Sequence, residues 1–326
     1  MVILRGAPDA SSPGAPTAAR IGAICERDSC ILITRARQAE QPSAQLPLMV
    51  ATARGGREWF TLEHRRLAVD DDNFLVVNEG RPHAAVIRSD TEVQSFKIFF
   101  RAGLVDEVLG ALVLPVDRLL EADEPSVRAG IEFSEGLRSH DRLVSPVLAY
   151  ICHQALGGCD DTAWFDEQLS YLLERLLLGH RQIMRRIQAM PCARPGTRRE
   201  IHRRVVLAID YIESCYEHSI DLETLARVAC LSKFHFLRAF RSLHGMTPQD
   251  YLQRKRAYVA KRLLTTTTLP TAEVALRVGY SSPTSLRKQV RQWIGAAPAD
   301  IRSRANEPNP IASPLRHRLS AILASE

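Results

Sequence analysis

A pattern that occurs twice in the last third of the chain constrains its fold most. The first copy comprises Ala226, Cys230, Leu231, Ser232, Phe236, Arg238, Phe240, Gly245 and Pro248, and the second comprises Ala275, Gly279, Tyr280, Ser281, Leu286, Lys288, Val290, Gly295 and Pro298. The copies are 49 residues apart up to the serines and 50 residues apart afterwards, which indicates one extra turn residue in the second. Each copy has the order of a helix-turn-helix: a short helix with a small alanine, a turn, and a second helix that begins after a capping serine. The sequence therefore predicts an all-helical C-terminal domain with two such units.

The second helix of each unit is predicted to have one buried and one exposed face. At about 100° per residue, apolar side chains cluster on one face; they are Phe236, Phe240 and Leu243, and Leu286, Val290 and Trp293. The opposite face collects the side chains that a recognition helix uses for guanine edges, phosphates and thymine methyl groups. The predicted DNA-binding residues are Ser232, Lys233, Phe234, His235, Leu237, Arg238 and Arg241 in the first unit, and Ser282, Thr284, Ser285, Arg287, Lys288 and Arg291 in the second. For Phe234 and Leu237 the alternative is packing, against the linker helix and in the core respectively.

An apolar helical pattern over 247–264 predicts a linker helix between the two units. If this helix is continuous, one chain can place two recognition helices in successive major grooves, about 34–36 Å apart. The basic positions Arg254, Lys255 and Arg256 are interpreted as solvated or phosphate-contacting residues rather than as readers of sequence.

The distribution of charge supports a polyanion partner. The formal net charge is +6, but residues 193–304 contain 20 Lys and Arg against 9 Asp and Glu, whereas residues 1–192 contain 21 against 26. A basic block on an otherwise acidic chain favours nucleic-acid binding, because each neutralised phosphate releases condensed counterions.

The rest of the chain suggests a multidomain α+β protein of 326 residues. Short apolar runs between turn signals, Arg88-Ser89-Asp90 among them, predict an antiparallel β sandwich or small barrel, and helical periodicity follows. The apolar stripe in 164–187 either packs on the β module or forms a homodimer seam. The N-terminal part is predicted to contain a disordered N-terminus at 1–20, a β domain at 21–104, and a helical region at 105–192 that is a candidate for dimerisation. A linker at 193–199, the paired helix-turn-helix domain at 200–304 and a tail at 305–326 are predicted to follow.

The repeated motif resembles the AraC/XylS family of bacterial transcription regulators. Family members join an N-terminal cupin-like barrel, a helical dimerisation region and a C-terminal domain of two helix-turn-helix units with a linker helix. The resemblance implies a regulator, more often an activator, whose partners are double-stranded promoter DNA, a second copy of the chain, RNA polymerase and a small effector in the barrel lumen. Trp59, His64 and His83 are the candidate effector-binding residues. Leu286 and Val290 depart from the family's phenylalanines, and Cys230 from a frequent glycine.

Other classes of function have little support in the sequence. The seven cysteines form no C-x-x-C pair, the histidines form no H-x-H pair, and no nucleotide-binding or hydrolase motif is present. We therefore predict no metal, no cofactor and no enzymatic activity. Without a long apolar run or a signal peptide, the protein is expected to stay in the cytoplasm, away from membranes. Two alternatives remain: a cupin-type metal enzyme fused to a DNA-binding tail, and a DNA-binding protein that needs no effector.

Overall fold

The computed structural model describes residues 1–6, 16–113, 130–191 and 194–306. The chain divides into two compact units, Met1–Leu252 and Gln253–Glu326, and each is considered by itself. No helix in the described ranges combines the length and the apolar character that a membrane span requires.

The first unit begins with one sheet of eight strands. They are β1 (Val2–Arg5), β2 (Cys30–Gln45), β3 (Met49–Arg54), β4 (Glu58–Leu62), β5 (Arg65–Val69), β6 (Asn73–Val77), β7 (Pro82–Phe99) and β8 (Gly136–Ser139). Their order in the sheet is β1-β2-β7-β3-β6-β8, and β4 pairs with both β7 and β5. Among the described strands, β1 and β2 are parallel and the other pairs are antiparallel. The first half of β7 pairs with β4 and its second half with β3, so this long strand holds two parts of the sheet around an apolar interior.

Helices cover the other face of the sheet. They are α2 (Leu104–Val113), α3 (Ser145–Leu156) and α4 (Thr162–Gln188), whereas α1 (Ala18–Cys25) packs with the interior cluster. The apolar stripe of α4 is buried in one cluster with residues of the sheet such as Val50, Phe74 and Ile98. Alternation along the strands explains the two cores, since neighbouring residues of a strand point to opposite faces. Of the two interpretations of this stripe, packing on the β module is the one that the structure shows.

Two predictions for the N-terminal part are wrong. Val2–Arg5, placed in the disordered N-terminus, forms β1, because its apolar side chains pair with Cys30–Ile33 of β2; residues 7–15 lie outside the described ranges. Arg88-Ser89-Asp90, taken as a turn, lies inside β7, where the β2–β7 register shifts opposite Ala36 and Gln38. Residues 89–92 of β7 lie opposite a single residue of β2, so the pairing is interrupted there while the strand continues.

The predicted linker 193–199 is mostly the first turn of a long helix, α5 (Pro195–Cys215). Proline suits the first helical position, where its missing N–H is not needed. Asp210 of α5 accepts hydrogen bonds from Arg65 Nη1 at 2.7 Å and from the Leu137 amide at 2.8 Å. Ser214 accepts one from the Ala68 amide at 3.1 Å. These contacts join α5 to the sheet, so the chain divides beyond it, at Leu252, and not at 193–199.

Candidate nucleic-acid interface

The first helix-turn-helix consists of α6 (Leu222–Val228) and α7 (Lys233–His244). The Asp221 side chain caps α6 by accepting a hydrogen bond from the Thr224 amide at 2.7 Å, and this bond lowers the pKa of Asp221. Ser232 caps α7 in the same way by accepting from the His235 amide at 3.3 Å. Helix α7 ends at Gly245, whose φ of 70° lies in the left-handed region that favours glycine. Each end of the recognition helix is therefore set by a residue of the repeated motif.

The buried face of α7 is the predicted one. Phe236, Phe240 and Leu243 are all buried, and the ring of Phe240 packs edge-on against that of Tyr251 at 5.8 Å. Ala226 of α6 is buried as well, as expected for a small residue between closely packed helices. The prediction of this face from helical spacing is confirmed.

The opposite face of α7 carries an exposed stripe of Phe234, Arg238 and Arg241, which we call the first stripe. Phe234 is 66% exposed, which contradicts packing against the linker helix, and the Arg238 guanidinium lies 4.6 Å from the centre of its ring. Such a cation–π contact holds the arginine in place while its donors stay open to a ligand. Among the flanking candidates, Ser232, Lys233 and His235 are exposed and Leu237 is half-buried.

The second unit contains its own helix-turn-helix, α9 (Thr271–Arg277) and α10 (Pro283–Ile294), followed by α11 (Pro298–Asn306). Ser282 caps α10 by accepting from the Ser285 amide at 3.3 Å, and Pro283 occupies the first turn. Leu286 and Val290 are buried as predicted, whereas Trp293 is only half-buried. The indole Nε1 of Trp293 donates to Gln289 Oε1 at 3.2 Å, so its polar edge turns to the helix surface.

Helix α10 also carries an exposed stripe, formed by Thr284, Lys288 and Arg291, which we call the second stripe. Arg287 beside it is exposed, and the candidates Ser282 and Ser285 are half-buried because they form the cap. In both units the structure thus brings the sequence-predicted residues together on or next to one face of the second helix.

The linker helix is α8 (Pro248–Thr266). The interpretation of Lys255 and Arg256 as solvated residues is wrong, since both are buried. The Arg256 guanidinium lies 5.5 Å from the centre of the Tyr280 ring, and Tyr280 Oη donates to the Gln253 carbonyl at 3.5 Å. Burial raises the pKa of Tyr280. Long basic side chains cover apolar surface with their methylene groups, which the count of charges in a sequence does not reveal.

The first residue of the turn differs between the two helix-turn-helix units. Cys230 has a φ of 50° and Gly279, its counterpart, a φ of 84°, so both residues are left-handed. This conformation costs a residue with a Cβ roughly 1–2 kcal/mol, and glycine avoids the clash.

We predict that Cys230→Gly raises the free energy of unfolding by about 0.5–1 kcal/mol, because relief of the left-handed strain exceeds the extra chain entropy of glycine. Gly279→Ala is the matched reverse change and should lower it by about 1 kcal/mol. Urea unfolding followed by circular dichroism measures both. A loss of stability in Cys230→Gly would show that the thiol makes a contact worth more than the strain.

The three effector candidates do not come together. Trp59 faces away from the sheet interior, because its neighbours Glu58 and Phe60 point inward, and the Arg66 guanidinium lies 4.2 Å from its ring. His64 is exposed in the turn between β4 and β5. His83 is buried, its Nδ1 3.0 Å from the Arg81 carbonyl, and burial lowers its pKa. In the described ranges His, Cys, Asp and Glu form no group of three or more able to hold a metal ion.

Sequence reasoning missed a polar cluster inside the sheet. Lys97 Nζ lies 2.8 Å from Glu58 Oε1 and donates to Gln41 Oε1 at 3.0 Å. Ser95 Oγ donates to Glu58 Oε2 at 2.6 Å. All four side chains are buried, so the interior beside His83 is filled with a paired charge. Strand alternation could have revealed this cluster, because Ser95 and Lys97 lie on the same face of β7 as Val93, which points into the interior, and not on the face of Phe96.

Comparison with known proteins agrees with this geometry. The family described as "Helix-turn-helix domain" matches residues 225–304. The probable transcriptional regulator LumQ of Photobacterium leiognathi is 35% identical over 94 residues, which are 29% of this chain and 38% of LumQ. The RCS-specific HTH-type transcriptional activator RclR of Escherichia coli (strain K12) is 30% identical over 107 residues, 33% of this chain and 38% of RclR. The chain thus spans little more than a third of either relative.

A solved structure is similar to about a third of the chain. The DNA-binding domain of AdpA, crystallised in complex with a target DNA, is 37% identical and covers 34% of this chain and 97% of its own, with a TM-score of 0.30. Residues 225–304 therefore form an AraC-type helix-turn-helix domain, and the relatives that share it are AraC/XylS-type DNA-binding transcription regulators.

Proposed function

We propose that the chain binds double-stranded promoter DNA sequence-specifically and regulates transcription, as an activator, with both stripes reading base edges. The observation that carries this proposal is the first stripe, where Arg238 and Arg241 are exposed on a capped helix whose other face is buried. An arginine can donate two hydrogen bonds to a guanine edge, and Phe234 offers an apolar surface to thymine methyl groups.

The second stripe supports the same mode of binding in its own unit. Lys288 and Arg291 supply charge for guanine edges or phosphates, and Thr284 adds a hydroxyl that can meet either. We propose that the two recognition helices enter successive major grooves, a spacing of about 34–36 Å along the duplex. The phosphate contacts supply affinity that falls with salt, and the base contacts supply specificity.

The N-terminal part is proposed to be a cupin-like sensing module that controls this binding through a small effector. The folding of β4 and β5 over an apolar interior supports the cupin-like label. A second copy of the chain and RNA polymerase complete the proposed partners. Because the apolar stripe of α4 is buried against the sheet, a second copy must use another surface.

The proposal predicts the result of Arg238→Ala in a binding assay. Once the preferred site has been selected from random duplexes, this variant should bind it about 1–3 kcal/mol more weakly, with relaxed preference at the base pair that Arg238 reads. Fluorescence anisotropy with labelled duplexes at one fixed salt concentration measures the change. Arg88→Ala, which removes an exposed arginine from the sheet, is the control for net charge.

The outcomes separate base reading from attraction to phosphates. An equal loss on the selected site and on random DNA would rule out base reading by Arg238. A chain that selects no preferred site at all would overturn the proposed function.

A further inference from the structure

The first unit contains a cavity of about 530 Å³ that none of the predicted DNA-binding residues lines. Its walls are α4, α5, the β4–β5 and β6–β7 turns, and residues 130–135. Sites for small molecules usually measure about 300–1,000 Å³ and combine apolar walls with a few polar groups. This cavity has both features.

One part of the wall is apolar. Phe133 precedes β8, and α4 and α5 contribute aliphatic side chains, which are Ile183, Met184, Ile187, Val206 and Leu207. These side chains surround a volume that suits a hydrocarbon chain or an aromatic ring, because contact with them removes apolar surface of the ligand from water.

The polar end of the cavity has two imidazoles, His180 of α4 and His202 of α5. Nδ1 of His180 is buried and has no hydrogen-bond partner, although its ring packs edge-on against Phe133 at 5.6 Å. A buried polar atom without a partner is destabilising unless a ligand or water supplies one. His180 Nδ1 thus has an unmet hydrogen bond beside the cavity that its ring lines.

A third basic residue, Arg138 of β8, lies next to these imidazoles. Its Nη1 is 3.9 Å from the point that a Cβ at Gly179 would occupy, and its Nη2 donates to the Ser134 carbonyl at 3.0 Å. Burial lowers the pKa of Arg138 to about 10. Burial is the main cause that lowers the pKa of both imidazoles, and the charge of Arg138 is the second cause. The pKa of His202 falls to about 4. This end of the cavity thus carries positive potential.

Three other arginines of the cavity differ, because they have acidic partners, and a fourth, Arg199, is exposed to solvent. Arg65 pairs with Asp210 at 2.7 Å, Arg81 with Glu135 at 3.4 Å, and Arg203 with Glu200 at 2.9 Å. No ion pair joins Arg138 to an acidic residue within the described ranges. An anion bound between His180 and His202 would accept their hydrogen bonds and offset this charge.

We propose that the cavity binds a small organic acid with one carboxylate and an apolar aliphatic or aromatic body. The carboxylate lies between His180 and His202, and the apolar body lies along Met184 and Val206. A cation is disfavoured by the charge of Arg138, which Asp141 offsets only through space, and a neutral polar ligand adds no compensation. This ligand is proposed to bind the chain in the absence of DNA, so the proposal can be tested separately from DNA binding.

Calorimetric titration of the full chain with octanoate, and in parallel with octanamide, tests this site. Both probes have the same apolar tail, and only octanoate carries the carboxylate. Octanoate is expected to bind at least tenfold more tightly than octanamide and to raise the thermal midpoint of the protein, because a ligand of the native state stabilises it. Equal affinities, or no binding of octanoate to the folded chain, would overturn the proposal.

Two variants locate the ligand in the cavity. His202→Leu should weaken octanoate at least tenfold and leave octanamide unchanged, whereas His153→Leu, an exposed histidine of α3, should change neither. Met184→Trp fills the apolar part and should weaken both probes, so it tests the site even where His202→Leu does not fold. Octanoate affinity that survives both cavity variants would place the ligand elsewhere and refute the assignment. DNA binding is measured separately, so its failure leaves this result intact.

Discussion

Lys97→Ala is expected to lower the free energy of unfolding by about 3–5 kcal/mol, because it leaves the Glu58 carboxylate buried without its counter-charge. Lys97 is 1% exposed and Glu58 3%, and their charged atoms are 2.8 Å apart. Ser95 and Gln41 complete the cluster, and neither carries a charge that could replace the lost ammonium group. Urea unfolding followed by circular dichroism measures the loss.

Two comparisons make this result specific to burial. The double replacement Lys97→Met with Glu58→Leu removes both charges and should recover much of the stability, since a buried ion pair and an apolar pair of similar volume are often equivalent. Arg277→Ala breaks an ion pair with Glu273 at 2.7 Å in which both partners are exposed, and should cost under about 1 kcal/mol. Similar losses in Lys97→Ala and Arg277→Ala would contradict the interior placement of Lys97.

The second large effect distinguishes the two faces of α7 with the same substitution. Phe236→Ala should lower the free energy of unfolding by about 3–5 kcal/mol, because it opens a cavity where the ring is now completely buried. Phe234→Ala, two residues earlier, removes an equal ring from an exposed position and should change stability by no more than about 0.5 kcal/mol. Urea unfolding of both variants provides the measurement.

DNA binding should show the reverse order. At a temperature where both variants remain folded, Phe234→Ala should weaken binding to the selected duplex, because it removes the apolar member of the first stripe and the ring under Arg238. Phe236→Ala should bind the duplex as the parent chain does. A Phe234→Ala variant with unchanged affinity would limit that ring to a structural role.

The faces of α7 and α10 could be predicted from sequence because a helix fixes the angle between successive residues. Two residues of the buried face, such as Phe236 and Phe240, determine where all the others point. The repeated motif also fixed both ends of each helix through a capping serine and a left-handed glycine, Gly245 and Gly295. In these helices, the direction of each side chain follows from residues close to it in the sequence.

The attachment of α5 could not be predicted in this way. Asp210, Glu213 and Glu217 recur at three- and four-residue steps, the usual pattern of a solvated helix face. In the structure Asp210 pairs with Arg65, which is 145 residues away in the chain, and Glu213 accepts hydrogen bonds from Ser139 and Tyr251. Nothing near Asp210 in the sequence indicates that its partner lies on a strand.

Strand phase explains why Glu58, and not Trp59, points into the interior of the sheet. A tryptophan is more often buried than a glutamate, so composition favours Trp59 as the interior residue. Alternation with Phe60 and Leu62 reverses this, and places Glu58 inside, where Lys97 compensates its charge. A buried charge is visible in a sequence only when its partner is known.

The acidic residues of α5 matter for any chimaera that joins the helix-turn-helix domain to another N-terminal domain. A fragment that starts at Pro195 carries Asp210, Glu213 and Ser214 away from Arg65, Ser139 and Ala68. A new host strand would then meet an Asp210 carboxylate without Arg65 and a Glu213 carboxylate that has lost Ser139 and keeps Tyr251. Chimaeras should therefore either bring β5 and β8 along or replace Asp210 and Glu213 with neutral side chains. A replacement N-terminal domain would therefore pack correctly on α5 only if it provided an arginine and backbone amides at the positions of Arg65, Leu137 and Ala68.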